Sequence, residues 1–259
     1  MPASYIVCEG PHDAALLGRI VESASFVLQK KRRLIAPSPF VRLASGAIPD
    51  ALFGRDPLPN FWLKNDHWIA IHPVGGDGEI PKALARITAQ ATSAIDAIGA
   101  FIDADLVAPA SRVTNLQAAV IAINATPGFT FTGGPGQVVT TGSPRTGVYV
   151  MPDNASAGSV ERVLDACAQS SYADLHQHAG SFLATINRGL LTSKEQKEHS
   201  KGSNPAKAHL GVISSVLRPG SALQNTIRDD RWIDATTMTL PLVNQLRTFL
   251  RDLLNELSI

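Results

Sequence analysis

A short apolar segment that ends in two aspartates constrains this chain more than any other feature. Residues 97–105 have the sequence Ala-Ile-Gly-Ala-Phe-Ile-Asp-Ala-Asp, the pattern of a buried strand that stops at Asp103 and Asp105. In an extended chain the side chains at i and i+2 lie on the same side, so the two carboxylates are predicted to converge. Because neighbouring carboxylates repel and are costly to bury, the pattern favours a hard cation such as Mg²⁺ or Mn²⁺ between them. The alternative is that both aspartates only cap the following segment.

Composition indicates a globular protein whose bulk charge does not point to nucleic acid. The 259 residues are 44% hydrophobic and carry a formal charge of +1, so any nucleic-acid contact must come from local patches. Cys8 and Cys167 lie far apart in apolar segments and match no zinc spacing. No apolar run reaches the roughly 20 residues that span a bilayer, and the N-terminus has no signal-peptide pattern. We therefore expect a cytoplasmic protein with reduced cysteines and no membrane contact.

A further carboxylate, Glu9, follows the first predicted strand. Residues 5–8 are aromatic, β-branched or apolar, and the next residues, Gly10 and Pro11, suit a tight turn and the first turn of a helix predicted to run to about Leu28. Glu9 would then lie at the carboxyl end of a strand, where ligands bind in open α/β sheets. A carboxylate in this position could equally be a helix cap.

Strands, one of them predicted over residues 129–132, alternate with helices up to residue 170, which predicts a mainly parallel sheet covered by helices on both faces. Beyond it, residues 193–202 are predicted as a charged, exposed connection. We predict an α/β domain over residues 1–170 and a helical C-terminal extension over residues 171–259 that packs on it. The last helix has a wide apolar stripe that suits packing on the body or, alternatively, a homodimer. In a parallel sheet Glu9 lies on the same edge as Asp103 and Asp105, so three carboxylates are expected together.

Several other patterns are open to two interpretations. The run of Lys30, Lys31, Arg32 and Arg33 is either a solvated helix end or a contact for a phosphate backbone. The pair Gly75-Gly76 before a predicted helix suits a strand–helix turn and only weakly a phosphate cradle. Glu161 lies in the first turn of a predicted helix, where the helix dipole already favours an acid. The spacing of His176 and His178 in a helical pattern separates their rings, which argues against a zinc site.

The chain resembles the Toprim superfamily, the core shared by topoisomerases, primases and OLD-type nucleases. The resemblance depends on residues 7–13 (Val-Cys-Glu-Gly-Pro-His-Asp) and on residues 101–105 (Phe-Ile-Asp-Ala-Asp), in the order that this superfamily has. The chain is similar over most of its length to a small standalone Toprim-like prokaryotic family of unassigned function, through Gly75-Gly76, residues 148–154, residues 158–161 and the helix after Lys207. Two features depart from that family: the proline-rich insertion at residues 37–59, and residues 213–217, which replace an aromatic-rich motif.

The resemblance implies a Mg²⁺- or Mn²⁺-dependent nuclease that acts as an effector of prokaryotic phage defence or in a toxin–antitoxin-like role. Glu9 would be the general base or a metal ligand, and Asp103 and Asp105 would be ligands. Asp13 would help to hold a second ion or its water, and Lys207 would stabilise the leaving oxygen unless it is only an exposed lysine at a helix start. The alternative is a non-catalytic Toprim-like module that binds nucleic acid, a nucleotide or an ATPase partner.

Overall fold

The computed structural model describes residues 2–29, 40, 59–90, 95–123, 129–256 and 258–259. Within these residues one seven-stranded sheet has the strand order β2-β3-β4-β1-β5-β7-β6. The strands are β1 (Ala3–Cys8), β2 (Val27–Leu28), β3 (Asn60–Lys64), β4 (His67–Pro73), β5 (Ala97–Asp103), β6 (Val138–Val139) and β7 (Arg145–Met151). The four central strands, β4, β1, β5 and β7, run parallel, and β3, β2 and β6 are added antiparallel at the edges.

The helices of the described chain lie on both faces of the sheet and continue beyond it. They are α1 (Pro11–Ser23), α2 (Ile80–Gln90), α3 (Pro109–Ile123), α4 (Val160–Ser171), α5 (Ala173–Thr185), α6 (Ser193–His199), α7 (Asn204–Leu217), α8 (Leu223–Asp229) and α9 (Pro241–Leu254). Short 3₁₀ turns cover Asp77–Glu79, Arg188–Leu190 and Thr237–Thr239. In the described part of the chain no helix is both long enough and apolar enough to cross a membrane. The predicted α/β class, with a mainly parallel sheet, flanking helices and a helical C-terminal extension, is confirmed.

Alternation along the central strands divides the core into two layers. In β1, Ile6 and Cys8 belong to one buried cluster, which also contains the apolar faces of α1, α4 and α9. Tyr5 and Val7 belong to the other cluster, with the apolar faces of α2 and α3. Successive side chains of a strand point to opposite faces, so a strand buried on both faces is apolar throughout. This double burial explains why the central strands are nearly continuous apolar runs in the sequence.

The C-terminal helix α9 packs directly on the parallel strands. The ring of Phe249 lies 5.4 Å from the rings of both Phe101 in β5 and Tyr149 in β7. A Cβ atom at Gly99 in β5 would lie 2.5 Å from Leu253 Cδ2, so a larger residue there would displace the Leu253 side chain. The extension therefore shares a core with the sheet, and the boundary at residue 170 stays a prediction.

Three local predictions differ from the structure. The first helix ends at Ser23 and not near Leu28, because Ser25 adopts a left-handed conformation (φ 69°) that redirects the chain into β2. The segment 129–132, predicted as a strand, has no strand pairing in the described chain, and its two phenylalanines are buried against the helical layer instead. The charged stretch from Ser193, predicted as an exposed connection, forms α6, because Thr192 and Glu195 make a capping box that starts the helix.

Candidate active site

Four acidic side chains meet where β1 and β5 end and where α1 and α4 begin. Glu9 follows β1 and Asp103 ends β5; these strands are parallel neighbours with Cys8 opposite Phe101, so both residues lie at the carboxyl edge of the sheet. Asp13 lies in the first turn of α1, and Glu161 in the first turn of α4. We call Glu9, Asp13, Asp103 and Glu161 the acid cluster. The positive ends of two helix dipoles are directed at this cluster, which favours negative charge there.

Glu9 is held through both its main chain and its side chain. Its carbonyl oxygen accepts hydrogen bonds from the N–H groups of Gly75 and Gly76, each at 2.9 Å. The two glycines have φ values of 86° and 143°, a conformation that favours glycine. Because both N–H groups are already engaged by Glu9, this pair acts as the strand–helix turn. The side-chain oxygen Oε1 accepts a hydrogen bond from the backbone N–H of Asp103 at 2.7 Å.

Arg112, in the first turns of α3, connects the two strand ends. Its Nη2 lies 3.2 Å from Glu9 Oε1, and its Nε donates to the carbonyl oxygen of Asp103 at 2.8 Å. Its Nη1 donates to Asp77 Oδ2 at 3.0 Å. Arg112 is not among the predicted site residues, because the sequence does not show that α3 places this side chain beside Glu9. Arg112 therefore positions Glu9 and offsets part of its charge.

The carboxyl groups of Asp103 and Asp13 are buried and only partly satisfied. Asp103 Oδ1 accepts a hydrogen bond from the N–H of Val160, the first residue of α4, at 2.9 Å. Asp13 Oδ2 accepts one from the N–H of Gly10, the residue before α1, at 2.9 Å. Asp13 Oδ1 is buried without a hydrogen-bond partner. A buried carboxylate oxygen without a partner is costly, so this atom marks a place that a cation or a proton would stabilise.

Burial and mutual repulsion raise the pKa values of these carboxyl groups. Burial is the main cause for Glu9, whose pKa rises to about 7, although the Asp103 N–H and Arg112 act in the opposite direction. Burial, followed by the charge of Glu9, raises the pKa of Asp13 to about 8. Burial, followed by the charges of Asp13 and Glu9, raises the pKa of Asp103 to about 9. Carboxyl groups that disfavour their charged forms in this way are stabilised by a proton or by a cation, and they cluster at functional sites.

Glu161 differs from the other members of the acid cluster because it already has partners. Burial acts to raise its pKa, but hydrogen bonds from His12 and Ser159 and the charge of Lys207 outweigh burial and lower it. Ser159 Oγ donates to Oε2 at 2.7 Å, while His12 Nδ1 and Lys207 Nζ lie 3.6 and 3.9 Å from Oε1. Lys207 is half-exposed and its partner is Glu161. The structure therefore brings Lys207 beside the cluster through Glu161.

Asp105 is arranged differently from the extended geometry that the sequence predicts. Strand β5 ends at Asp103, and Asp105 has a left-handed conformation with φ 52°. Its main chain forms an isolated two-bond bridge with Gly158, with N···O distances of 2.7 and 2.8 Å. The bridge turns the chain, so the alternation that would align the two aspartates stops at Asp103. The side chain of Asp105 is exposed, and its charge contributes to the raised pKa of Glu9.

The carboxylate oxygens of the acid cluster are suitable ligands for a hard cation, but they are not close enough together to share one in the observed conformation. Among the described residues, one group of three metal-ligating side chains has ligand atoms within 4.8 Å of one another, and it is Asp165, His176 and His209 rather than the acid cluster. Glu9 and Asp103 each bond to a different backbone N–H group, and their charges repel, which explains the separation. Side-chain rotation toward a shared ion would relieve this repulsion and give Asp13 Oδ1 a partner.

The predicted nucleic-acid contacts Lys30, Lys31, Arg32 and Arg33 lie outside the described residues. Most of the insertion at residues 37–59 lies outside them as well. Their participation in the site therefore stays a prediction. Of the predicted site residues that the structure describes, Glu9, Asp13 and Asp103 lie near enough that the charge of Glu9 raises the pKa values of the other two. The charge of Asp105 in turn raises the pKa of Glu9, and Lys207 lies beside the cluster through its contact with Glu161.

Comparison with known proteins gives a fold and a family. The structure resembles that of a hypothetical protein from Pyrococcus horikoshii OT3, with a TM-score of 0.53 and 15% identity over 98% of this chain and 95% of that chain. It has a TM-score of 0.41 and 12% identity to the C-terminal region of the OLD protein from Xanthomonas campestris pv. campestris, over 97% of this chain and 95% of that chain. A search of curated proteins finds no match. Residues 3–255 match the sequence profile of DUF3226, described as a protein of unknown function. The chain therefore belongs to the DUF3226 family.

Proposed function

We propose that the acid cluster binds Mg²⁺ or Mn²⁺ and that the protein hydrolyses phosphodiester bonds of nucleic acid. The observation that carries this proposal is the set of buried carboxyl groups, Glu9, Asp13 and Asp103, whose pKa values are raised to about 7, 8 and 9 by burial first and then by the charges of neighbouring acids. Hard divalent cations take carboxylate oxygens as ligands and would remove this repulsion. The resemblance to the Toprim superfamily in residues 7–13 and 101–105 supports the same chemistry.

In this proposal three members of the acid cluster, Glu9, Asp13 and Asp103, hold the metal together with the neighbouring Asp105. The fourth member, Glu161, is already engaged by Ser159, His12 and Lys207. A bound divalent ion supplies an activated water and offsets the charge that develops on phosphoryl oxygens. Glu9 suits the role of proton acceptor, because burial raises its pKa to about 7 and a base works best near the pH at which it operates. Arg112 keeps the Glu9 carboxylate in place through the contact at 3.2 Å and also holds the end of β5.

Substrate contacts would come from cationic side chains around the cluster. Lys207 is half-exposed and lies 3.9 Å from Glu161, so its ammonium group is near enough to reach a phosphate or a leaving oxygen. Lys30, Lys31, Arg32 and Arg33 would contact the phosphate backbone farther along the substrate. A role in phage defence and an ATPase partner are parts of the same proposal that depend on the resemblance alone. The cytoplasmic location depends on the two cysteines, and the homodimer on the apolar stripe of the last helix.

The contact of Arg112 with Glu9 also supports a second candidate function, that of a non-catalytic binding module. This arginine already forms an ion pair with Glu9, as it would in a module that uses the pair for structure and binds nucleic acid, a nucleotide or an ATPase without cleavage. The two functions differ in one measurable property: a non-catalytic module retains binding in the absence of any metal-dependent turnover.

The test is cleavage of labelled single-stranded DNA, duplex DNA and structured RNA with Mg²⁺, Mn²⁺ or chelator. The comparison is between wild type, Asp103→Asn and Asp174→Asn, whose exposed acid lies in the first turn of α5 outside the cluster. We expect metal-dependent cleavage by wild type and Asp174→Asn and its loss in Asp103→Asn. Equal cleavage by all three proteins would refute the proposed site. Binding without cleavage by wild type, with and without an ATPase partner, would support the non-catalytic module instead.

A further inference from the structure

A second group of metal-ligating side chains lies between three helices of the C-terminal half. Asp165 is in α4, His176 in α5 and His209 in α7. His176 Nε2 lies 2.9 Å from Asp165 Oδ1, and His209 Nδ1 lies 3.3 Å from the same oxygen. The two imidazole rings are 4.4 Å apart. One carboxylate oxygen thus faces a nitrogen of each ring, and the three ligand atoms lie within 4.8 Å of one another.

The hydrogen bonds of His209 define which of its nitrogens is available. Its Nε2 lies 2.9 Å from the carbonyl oxygen of His176, which can only accept, so Nε2 carries the hydrogen. In the neutral ring Nδ1 then has a lone pair, and this lone pair faces Asp165 Oδ1. Two acceptors at 3.3 Å repel unless a proton or a metal ion lies between them. An imidazole that donates its other N–H to a backbone carbonyl is also the usual arrangement of a metal-bound histidine.

We propose that Asp165, His176 and His209 form a binding site for a transition-metal ion of the zinc class, which links α4, α5 and α7. Two imidazole nitrogens and one carboxylate oxygen suit Zn²⁺, Co²⁺ or Ni²⁺, whereas the all-carboxylate acid cluster suits Mg²⁺ or Mn²⁺. The side chains are 39%, 20% and 17% exposed, so an ion can enter and water can complete a fourth position. On binding, His176 Nε2 exchanges its hydrogen bond to Asp165 for the metal and its hydrogen moves to Nδ1.

The position of this site gives it a structural consequence for the acid cluster. Glu161 lies one helical turn before Asp165 on α4, and Lys207 lies two residues before His209 on α7. The contact between Glu161 and Lys207 and the contact between Asp165 and His209 thus connect the same two helices. An ion held between Asp165 and His209 fixes the distance between α4 and α7, and with it the position of Lys207 beside Glu161. The bound ion therefore links α4 to α7 and stabilises the edge of the sheet where the acid cluster lies.

The experiment uses the full chain, treated with chelator and then dialysed, and titrates it with ZnCl₂ by calorimetry. CoCl₂ serves as a spectroscopic probe, because tetrahedral Co²⁺ with nitrogen and oxygen ligands has visible absorption bands. The variants are His209→Gln and Asp165→Asn. The matched controls are His178→Gln, an exposed histidine on α5 two residues beyond His176, and Asp103→Asn in the acid cluster.

We expect one Zn²⁺ per chain, visible Co²⁺ bands, and a rise in melting temperature of about 5 °C or more at saturation. His209→Gln and Asp165→Asn should each weaken Zn²⁺ binding at least about 100-fold, since loss of a ligand costs more than the 10- to 100-fold typical of its outer partners. The two controls should bind as wild type does. Unchanged affinity in both ligand variants, an equal loss in Asp103→Asn, or no Zn²⁺ binding by wild type would overturn the proposal. Because Asp103→Asn removes a member of the acid cluster, its normal Zn²⁺ binding also separates this site from the proposed function.

Discussion

The side chain of Glu9 accepts a hydrogen bond from the backbone N–H of Asp103 at 2.7 Å. This bond joins the ends of two parallel neighbouring strands, and Arg112 reinforces it by contacting the Glu9 carboxylate and the Asp103 carbonyl oxygen. The position of one acid is thus set by the main chain that carries the other. As a result the acid cluster is part of the sheet edge, and substitutions that break this connection between the strand ends are expected to lower stability.

Removal of the guanidinium group of Arg112 should destabilise the protein. Its substitution by glutamine leaves Glu9 partly buried without its cation, and hydrogen bonds to charged groups contribute about 1.5–3 kcal/mol each. We expect the free energy of unfolding of Arg112→Gln to fall by about 2 kcal/mol, as measured by urea denaturation. Arg188→Gln, in an exposed 3₁₀ turn, is the matched control and should change it by less than about 0.5 kcal/mol. Equal stability of the two variants would contradict the bridging role of Arg112.

The metal-free protein should lose stability as the pH rises from about 5 to 9. Burial and the neighbouring acids raise the pKa values of Glu9, Asp13 and Asp103 to about 7, 8 and 9, so the folded chain binds more protons than the unfolded chain in this range. The stabilisation is complete below the unfolded pKa values and is lost as the pH passes through the folded ones. The opposite effect of Glu161, whose pKa is lowered, acts only at more acidic pH.

The measurement for this pH dependence is the urea midpoint in the presence of chelator at several pH values. Asp103→Asn, which cannot ionise, should flatten the decline by at least about 1.4 kcal/mol, the equivalent of one pKa unit. A stability that rises steadily with pH in the wild type, or an identical decline in Asp103→Asn, would show that folding does not raise the pKa values of these carboxyl groups.

Divalent metal should stabilise the wild type through the acid cluster. An ion that binds only the folded protein raises its stability by about 2.7 kcal/mol at 100 times the dissociation constant. Asp103→Asn should abolish the Mg²⁺- or Mn²⁺-dependent rise in melting temperature, while it costs little stability in chelator because it relieves like-charge repulsion. A metal-dependent shift of the same size in the variant would rule out Asp103 as a ligand.

The backbone conformation at Gly158, which forms the bridge to Asp105, requires glycine. Its φ of 140° favours glycine, and a Cβ there would lie 3.2 Å from Pro152 Cδ. Gly158→Ala should therefore cost about 1–3 kcal/mol and disturb the bridge to Asp105. Gly211→Ala in α7, where a Cβ would have no atom within 4 Å, should be neutral or stabilise by up to about 1 kcal/mol. Chemical denaturation of the pair tests the difference, and a neutral Gly158→Ala would contradict it.

The sheet edge could be predicted from the sequence because it depends on local patterns. Apolar runs that end at Glu9 and Asp103 indicate two buried strands, and the helices between them require parallel neighbours. Asp105 was less predictable, since its left-handed turn depends on the bridge to Gly158, more than 50 residues later in the chain.

Contacts made by long side chains or between distant helices left no pattern in the sequence. Arg112 acts through three separate bonds that become apparent only when α3 is placed beside β5. The spacing of His176 and His178 argues against pairing those two rings. It could not indicate that His176 would meet His209, 33 residues farther along, through the packing of α5 on α7.

The most direct measurement of the central claim is the single-turnover rate of metal-dependent cleavage by wild type and Glu9→Gln. This substitution keeps the shape of the side chain and its acceptor for the Asp103 N–H but removes its charge. We predict that the rate falls by about two orders of magnitude or more, while nucleic-acid affinity changes far less because cationic residues supply the backbone contacts. Cleavage by Glu9→Gln at the wild-type rate would contradict the assignment of the acid cluster as the active site.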